Sequence, residues 1–241
     1  MNLIIDSGNT KCKLALFQGD ELIQKFSLKT LNTEAILNRI RSFPEISHVL
    51  LCNVAKSNPE LNEALKQGFR FHELNAASKL NFNNTYASPE TLGSDRKANI
   101  AGTAALYPGK NCLVIDMGTC IKYDLVTADG NYLGGSISPG ISLRFKAMND
   151  YTDRLPLLRA EKLPENFIGT DTISSMQTGV MIGVLGELKH LVQCYRDQFS
   201  DLIVILTGGD CHYFVPALKN DIFALPDLTL FGLNKILELN A

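Results

Sequence analysis

Two short stretches hold the densest chemistry in this sequence. Asp6-Ser7-Gly8-Asn9-Thr10 sets a carboxylate, two hydroxyls and an amide behind an apolar run, and Asp116-Met117-Gly118-Thr119 repeats the device in the second half. Each Asp ends a strand-like segment and is expected to point into a cleft, while each Gly lets the backbone turn and expose N–H groups. Such N–H groups, with a Thr hydroxyl, cradle phosphate oxygens. A carboxylate beside them holds Mg2+ directly or through water, since that ion takes oxygen ligands and keeps several waters. One Asp-x-Gly is explained equally well as hairpin chemistry; two in matching places favour phosphate. Neither G-x-x-x-x-G-K-[ST] nor G-x-G-x-x-G occurs, which argues against a Walker loop and a Rossmann cofactor site.

A third stretch, Gly93-Ser94-Asp95-Arg96, follows a polar, turn-rich segment, Asn75–Thr91, and opens an Ala-rich helical run. A helix N-terminus favours anions, and the guanidinium fork of Arg96 suits a carboxylate. On the residues alone, Asp95 is either a base for a substrate hydroxyl or a first-turn acid with Arg96 as its surface partner. Gly208-Gly209, after an apolar strand, either borders a nucleotide or makes a plain strand-to-helix turn. The four His form no visible ligand cluster, and the six Cys include no C-x-x-C pair, which points to buried reduced thiols rather than zinc or disulfides.

These residues need elements to hold them. Asn2–Ser7, Cys12–Gln18 and Glu21–Ser27 read as a meander with turns at Gly8-Asn9 and Gly19-Asp20. Helices are expected over Thr33–Ser42, with Thr33 as N-cap, over Pro59–Gln67 and over Ser94–Leu106; strands over Ser47–Asn53 and Arg70–Leu74. The pattern then restarts. Asn111–Met117, Ile121–Thr127 and Tyr132–Ile137 read as strands, followed by a helix over 139–149, an irregular connection over 150–168 and a long helix over Thr172–Phe199. A strand over Leu202–Leu206 and a last helix over 227–239 complete the chain. The restart makes the chain two similar α/β halves, 1–109 and 110–241, with mixed sheets because hairpins force antiparallel neighbours.

Bulk properties exclude some classes. Lys and Arg total 23 against 25 Asp and Glu, a net charge of −2, so there is no electrostatic case for nucleic acid or an anionic membrane surface. No apolar run approaches a spanning helix, and the first residues lack a basic segment and cleavage site. The chain is expected to start at Met1 and to stay in the cytoplasm.

Paired Asp-x-Gly-Thr loops opening two duplicated halves resemble the actin, sugar kinase and Hsp70 superfamily. Within it, "DSGNTKCK" (6–13) resembles the D-x-G-N-T-x-x-K of type III pantothenate kinases, "YASPETLGSDR" (86–96) their Y-x-x-P-x-x-L-G-x-D-R, and "GGSISPG" (134–140) their G-G-x-I-x-P-G. "GTDTISSMQTG" (169–179) and "LTGGD" resemble two further segments, so the likeness runs in order along essentially the whole chain. It implies an actin-like (ribonuclease H-like) fold with ATP and substrate in the cleft between the halves. It implies ATP-dependent phosphorylation of pantothenate to 4′-phosphopantothenate, the first step toward coenzyme A.

By the same resemblance Asp95 is the catalytic base, and Tyr86, Gly93, Asp95 and Arg96 contact pantothenate, with Thr172 reaching it from the second subunit of a homodimer. ATP falls to Asp6, Ser7, Gly8, Asn9, Thr10, Lys13, Gly118 and Thr119, with Mg2+ on Asp6 and also on Asp116. A monovalent cation, K+ or NH4+, is implied near Asp124. Many members carry Thr-Ala-Thr-Thr after the second loop's Gly; this chain has Thr119-Cys120-Ile121-Lys122, so an ammonium two residues from Asp124, on the same strand face, stands to occupy or repel that cation. The competing readings are a kinase of another small hydroxylated substrate, such as a sugar, and a non-enzymatic transcriptional accessory factor.

Overall fold

In the computed structural model, residues 1–8, 11–29, 31–53, 58–218 and 222–241 are described. The chain groups into two compact units, Met1–Pro108 with Gly130–Tyr132 and Asp227–Ala241, and Gly109–Asp129 with Leu133–Pro226. The sequence suggests one break near 109; the units interleave instead, with the last helix grouped with the first residues.

The first unit opens with the expected meander, β1 (Asn2–Ser7), β2 (Cys12–Gln18) and β3 (Glu21–Leu28), then α1 (Thr33–Arg41), β4 (His48–Asn53), α2 (Pro59–Gly68) and β5 (Arg70–Glu73). The sheet order is β3-β2-β1-β4-β5. β1 runs antiparallel to β2 and parallel to β4, so the sheet is mixed. Leu3, Ile5, Leu14, Leu16, Val49 and Leu51 alternate onto one face and bury against Ile36 and Ile40 of α1 and Leu61 and Leu65 of α2. The cap of α1 is Asn32, whose side chain accepts the Ala35 N–H at 2.8 Å, rather than Thr33. A two-residue strand, β6 (Asn83–Asn84), precedes α3 (Ser94–Leu106).

In the second unit, β7 (Cys112–Met117), β8 (Cys120–Val126) and β9 (Asn131–Pro139) repeat the opening meander. They lead into α4 (Ile141–Asp150), α5 (Thr172–Gln198), β10 (Ile203–Thr207), the short α6 (Val215–Leu218) and β11 (Phe223–Ala224). Their sheet has the order β11-β10-β7-β8-β9-β6. Its β6 pairs only with the start of β9, Asn83 with Asn131 and Asn84 with Tyr132, and that end of β9 groups with the first unit. β7 is antiparallel to β8 and parallel to β10. Leu113, Ile115, Tyr123 and Leu206 pack with Met181, Val184 and Leu188 from α5.

The last helix, α7 (Leu228–Asn240), packs on α3 and against β1 and β4. The two helices touch at glycines. A Cβ on Gly232 would stand 1.8 Å from the Ala98 carbonyl oxygen, and one on Gly102 would meet Leu228 at 3.0 Å. The Ala-rich stretch of α3 therefore buries residues 96–103 without interruption.

Candidate active site

In the first unit the site is built at the ends of β1 and β4 and the start of α3. Asp6 is the penultimate residue of β1 and pairs in register with Cys52 on β4 and with Lys13 on β2. The thiols report the charges around them. Burial and the Asp6 carboxylate push Cys12 up to about 11. Burial raises Cys52 well above its ordinary value; the Asp6 and Asp95 carboxylates add to the rise, and the Ser94 hydroxyl and Lys97 ammonium oppose it. The Asp6 and Asp95 carboxylates thus both act on one buried thiol. Lys97, buried in the first turn of α3, is a cation that the motifs did not single out.

Gly93 is the N-cap of α3 and donates no side chain to the cap. Its role is space: a Cβ there would lie 2.7 Å from Asp95 Oδ1, the oxygen that accepts the Arg96 N–H at 2.8 Å. Arg96 is only 5% exposed. Its guanidinium carbon sits 5.4 Å from the Tyr86 ring centre and 5.9 Å from that of Tyr132, and the two rings stack 5.9 Å apart. Phe82 meets Tyr132 edge-on at 6.1 Å. Tyr86, Gly93, Asp95 and Arg96 are therefore gathered in one place, with Tyr132 added from β9.

In the second unit Asp116 ends β7 as Asp6 ends β1. Its register partner is Lys122, whose Nζ lies 2.7 Å from Asp116 Oδ2. Exposed Thr119 forms the turn. Two further loops meet it: the Gly140 N–H donates to the Thr119 carbonyl at 3.0 Å and the Asp210 N–H to the Met117 carbonyl at 3.0 Å. A Cβ on Gly140 would be 2.2 Å from the Gly118 carbonyl oxygen, and one on Gly208 would be 2.4 Å from that of Met117. Gly140 and Gly208 are thus glycines because they lie against the second Asp loop, whereas Gly135 lies against β8, where its Cβ would be 1.6 Å from the Tyr123 carbonyl oxygen. Asp124 is fully buried on β8. Thr172 is the exposed first residue of α5, whose cap is Asp171 in a reciprocal capping box with Ser174.

The glycine amides depart from expectation. The Gly8 N–H donates to the Lys11 carbonyl at 3.0 Å and the Gly118 N–H to that of Cys120 at 3.1 Å, so each closes its own turn instead of being offered to phosphate. Asn9 and Thr10 lie outside the described residues. A residue unmarked by any motif, Glu187 on α5, accepts from Tyr123 Oη at 2.9 Å, from Ser138 Oγ at 2.5 Å and from Arg144 Nη2. It fixes β8, the G-G-x-I-x-P-G segment and α4 to the long helix. Among the described residues no three His, Cys, Asp or Glu side chains gather as a metal cage. A lone strand-end carboxylate such as Asp6 fits Mg2+ that arrives with nucleotide phosphates, which fill most of its shell along with water.

A family model for type III pantothenate kinase matches residues 2–194. A type III pantothenate kinase from Christiangramia forsetii is 44% identical over 241 residues, covering 100% of this chain and 99% of its own. Among solved structures, a Campylobacter jejuni protein described as a Baf family transcriptional activator superposes with a TM-score of 0.63 at 22% identity, over 99% of this chain and 98% of that one. A Sinorhizobium meliloti protein described as a 2-dehydro-3-deoxygalactonokinase gives 0.58 at 13% identity, over 98% of each chain. These two likenesses bear on fold alone, and agree with the duplicated, actin-like α/β architecture expected from the repeat. The family model spans most of the chain and the Christiangramia forsetii relative matches all of it, and this chain belongs to the type III pantothenate kinase family.

Proposed function

We propose that this protein transfers the γ-phosphoryl group of ATP to the primary hydroxyl of pantothenate, giving 4′-phosphopantothenate and ADP at the entry to coenzyme A synthesis. The observation that carries the substrate assignment is Asp95 next to a buried Arg96 that lies against the Tyr86 and Tyr132 rings. Pantothenate has one carboxylate for the guanidinium and one primary hydroxyl for the base. A sugar offers no carboxylate, and a regulator acting on nucleic acid gains nothing from a net charge of −2.

Phosphoryl transfer asks the protein for position and charge rather than covalent chemistry. Arg96 holds the substrate carboxylate, with Tyr86 beside it. Asp95 accepts the hydroxyl proton as the new O–P bond forms and the bond to ADP breaks; a modest base is enough in a loose transition state. Asp6, Ser7, Gly8, Asn9, Thr10, Lys13, Gly118 and Thr119 make up the nucleotide-binding set. Mg2+, when bound, neutralises phosphate charge, and Asp6 is the carboxylate placed to hold it. Asp116, already engaged by an ammonium, is the poorer ligand.

A homodimer belongs to the same proposal, with Thr172 reaching the partner's pantothenate. On α5, Gly179, Gly183 and Gly186 have open space where a Cβ would stand, and Ile173 is 53% exposed beside Phe167 at 77% and Ile168 at 68%. The cytoplasm, with its ATP, is the proposed location.

The test is direct: purified protein, ATP, Mg2+ and pantothenate, with phosphopantothenate followed by mass. The Asp95→Asn variant is expected to keep its fold and nucleotide affinity while turnover drops about 100-fold or more. No product from folded wild type would sink the proposal, and unaltered turnover in the variant would remove Asp95 as the base.

A further inference from the structure

The internal repeat extends further than the two Asp-x-Gly turns. Asp6 is the penultimate residue of β1 and faces Lys13 across the antiparallel pair; Asp116 is the penultimate residue of β7 and faces Lys122. In the first half the facing lysine is the one whose motif assigns it to ATP phosphates. Lys122 is its counterpart in the second half.

The pair it forms is held firmly. Lys122 Nζ is 2.7 Å from Asp116 Oδ2, and the two side chains are only 14% and 11% exposed. Withdrawing two charges from water is costly and brings little net stability, so such a pair is poorly explained as scaffolding. It is well suited to fixing a positive charge beside the exposed Thr119 turn, where no solvent needs to reorganise when anionic oxygens arrive.

Resting on the kinase activity proposed above, we infer that Lys122 is a resident cation of the second loop. Its ammonium balances the Asp116 carboxylate from within the chain, as a soluble monovalent cation beside that carboxylate would, and takes the place such a cation would need. Activity is therefore independent of potassium.

The experiment compares wild type, Lys122→Thr and Lys122→Arg in potassium and in tetramethylammonium chloride at equal ionic strength. Binding of a non-hydrolysable ATP analogue with Mg2+ is read by calorimetry, and turnover separately. Wild type is expected to behave alike in both salts. Lys122→Thr is expected to lose about 10-fold or more in analogue affinity in tetramethylammonium, and Lys122→Arg to retain most of it. Should Lys122→Thr fail to fold, Lys122→Met, which keeps an unbranched side chain without its charge, reads the same loss. A wild type that gains about 10-fold from potassium overturns the inference, as does a Lys122→Thr variant that binds the analogue like wild type in tetramethylammonium. If wild type binds the analogue but makes no phosphopantothenate, the substrate assignment fails while the binding comparison still decides the role of Lys122.

Discussion

The guanidinium carbon of Arg96 lies 5.4 Å from the centre of the Tyr86 ring and 5.9 Å from that of Tyr132, and the two rings stack on each other with their planes 30° apart. A planar cation held by two rings keeps its donors aimed, which a flexible ammonium does not. Arg96→Lys retains the charge but gives up both the stacking and the paired donors. Its KM for pantothenate is expected to rise about 10- to 100-fold with the KM for ATP unaltered. Steady-state kinetics varying each substrate in turn checks the split, and a parallel rise in both constants would count against Arg96 as the carboxylate ligand.

That clamp also marks where the sequence stopped being readable. The places of Asp6 and Asp116 at strand ends and of Asp95 at a helix start were legible because local patterns set them: period-two apolar runs mark the strands, glycines the turns, and the Ala-rich run after Gly93 the helix. Tyr132 was not, since only the path of β9 brings it back to Tyr86. A two-residue strand of asparagines has no β signal to detect, and β6 exists because Asn83 and Asn84 find partners on β9. Glu187 sat on the polar side of a helix read only for its apolar stripe, although its three donors come from three other elements. The docking of α7 on α3 went unseen for a related reason: the α3 side of the contact is mostly alanine and Gly102, so that helix carries no stripe of large apolar side chains to point at its partner.

Gly93→Ala tests whether the space beside the base matters. The new Cβ would fall 2.7 Å from Asp95 Oδ1, the mobile end of a side chain, so the helix has no need to move. The carboxylate must turn aside instead. Stability is expected to change by less than about 1 kcal/mol while kcat drops about 10- to 100-fold, since small displacements of a reacting group are costly. Thermal unfolding read beside kcat decides it: a large loss of stability with kcat preserved in the folded fraction would mean that Gly93 serves the fold alone.

The Glu187 network predicts an acid limb in stability. Burial raises this carboxyl, but hydrogen bonds from Ser138, Arg144 and Tyr123 outweigh it and hold the group below its ordinary 4.5. A depressed carboxylate contributes stability that is fully present above the unfolded pKa and is lost as pH falls through the folded one. The contribution should therefore be constant near neutrality and disappear below pH 4.5. Glu187→Gln removes the titration. Its stability at neutral pH is expected to drop by about 1–3 kcal/mol, from the lost charged hydrogen bonds, and its decline in acid to be shallower than that of wild type. Denaturant midpoints across pH for both proteins make the comparison, and parallel curves would show that Glu187 does not set the limb.

The crossing of α3 and α7 makes a prediction about how far the catalytic helix depends on the end of the chain. A Cβ at Gly232 would stand 1.8 Å from the Ala98 carbonyl oxygen and 2.8 Å from the Gly102 nitrogen, all backbone, so neither helix has a side chain that can yield. Gly232→Val must push the helices apart, opening the buried stretch of α3 that begins at Arg96. Overpacking of this kind costs about 1–3 kcal/mol, and more where backbone cannot shift. Because Asp95 and Arg96 ride on the first turn of the same helix, kcat and the KM for pantothenate are both expected to worsen in whatever fraction stays folded. The Gly68→Ala variant, at the end of α2 with open space at its Cβ, is the control for glycine replacement on a helix and should leave stability and turnover close to wild type. If Gly232→Val melted and turned over like wild type, the close crossing would not be what holds the catalytic turn in place.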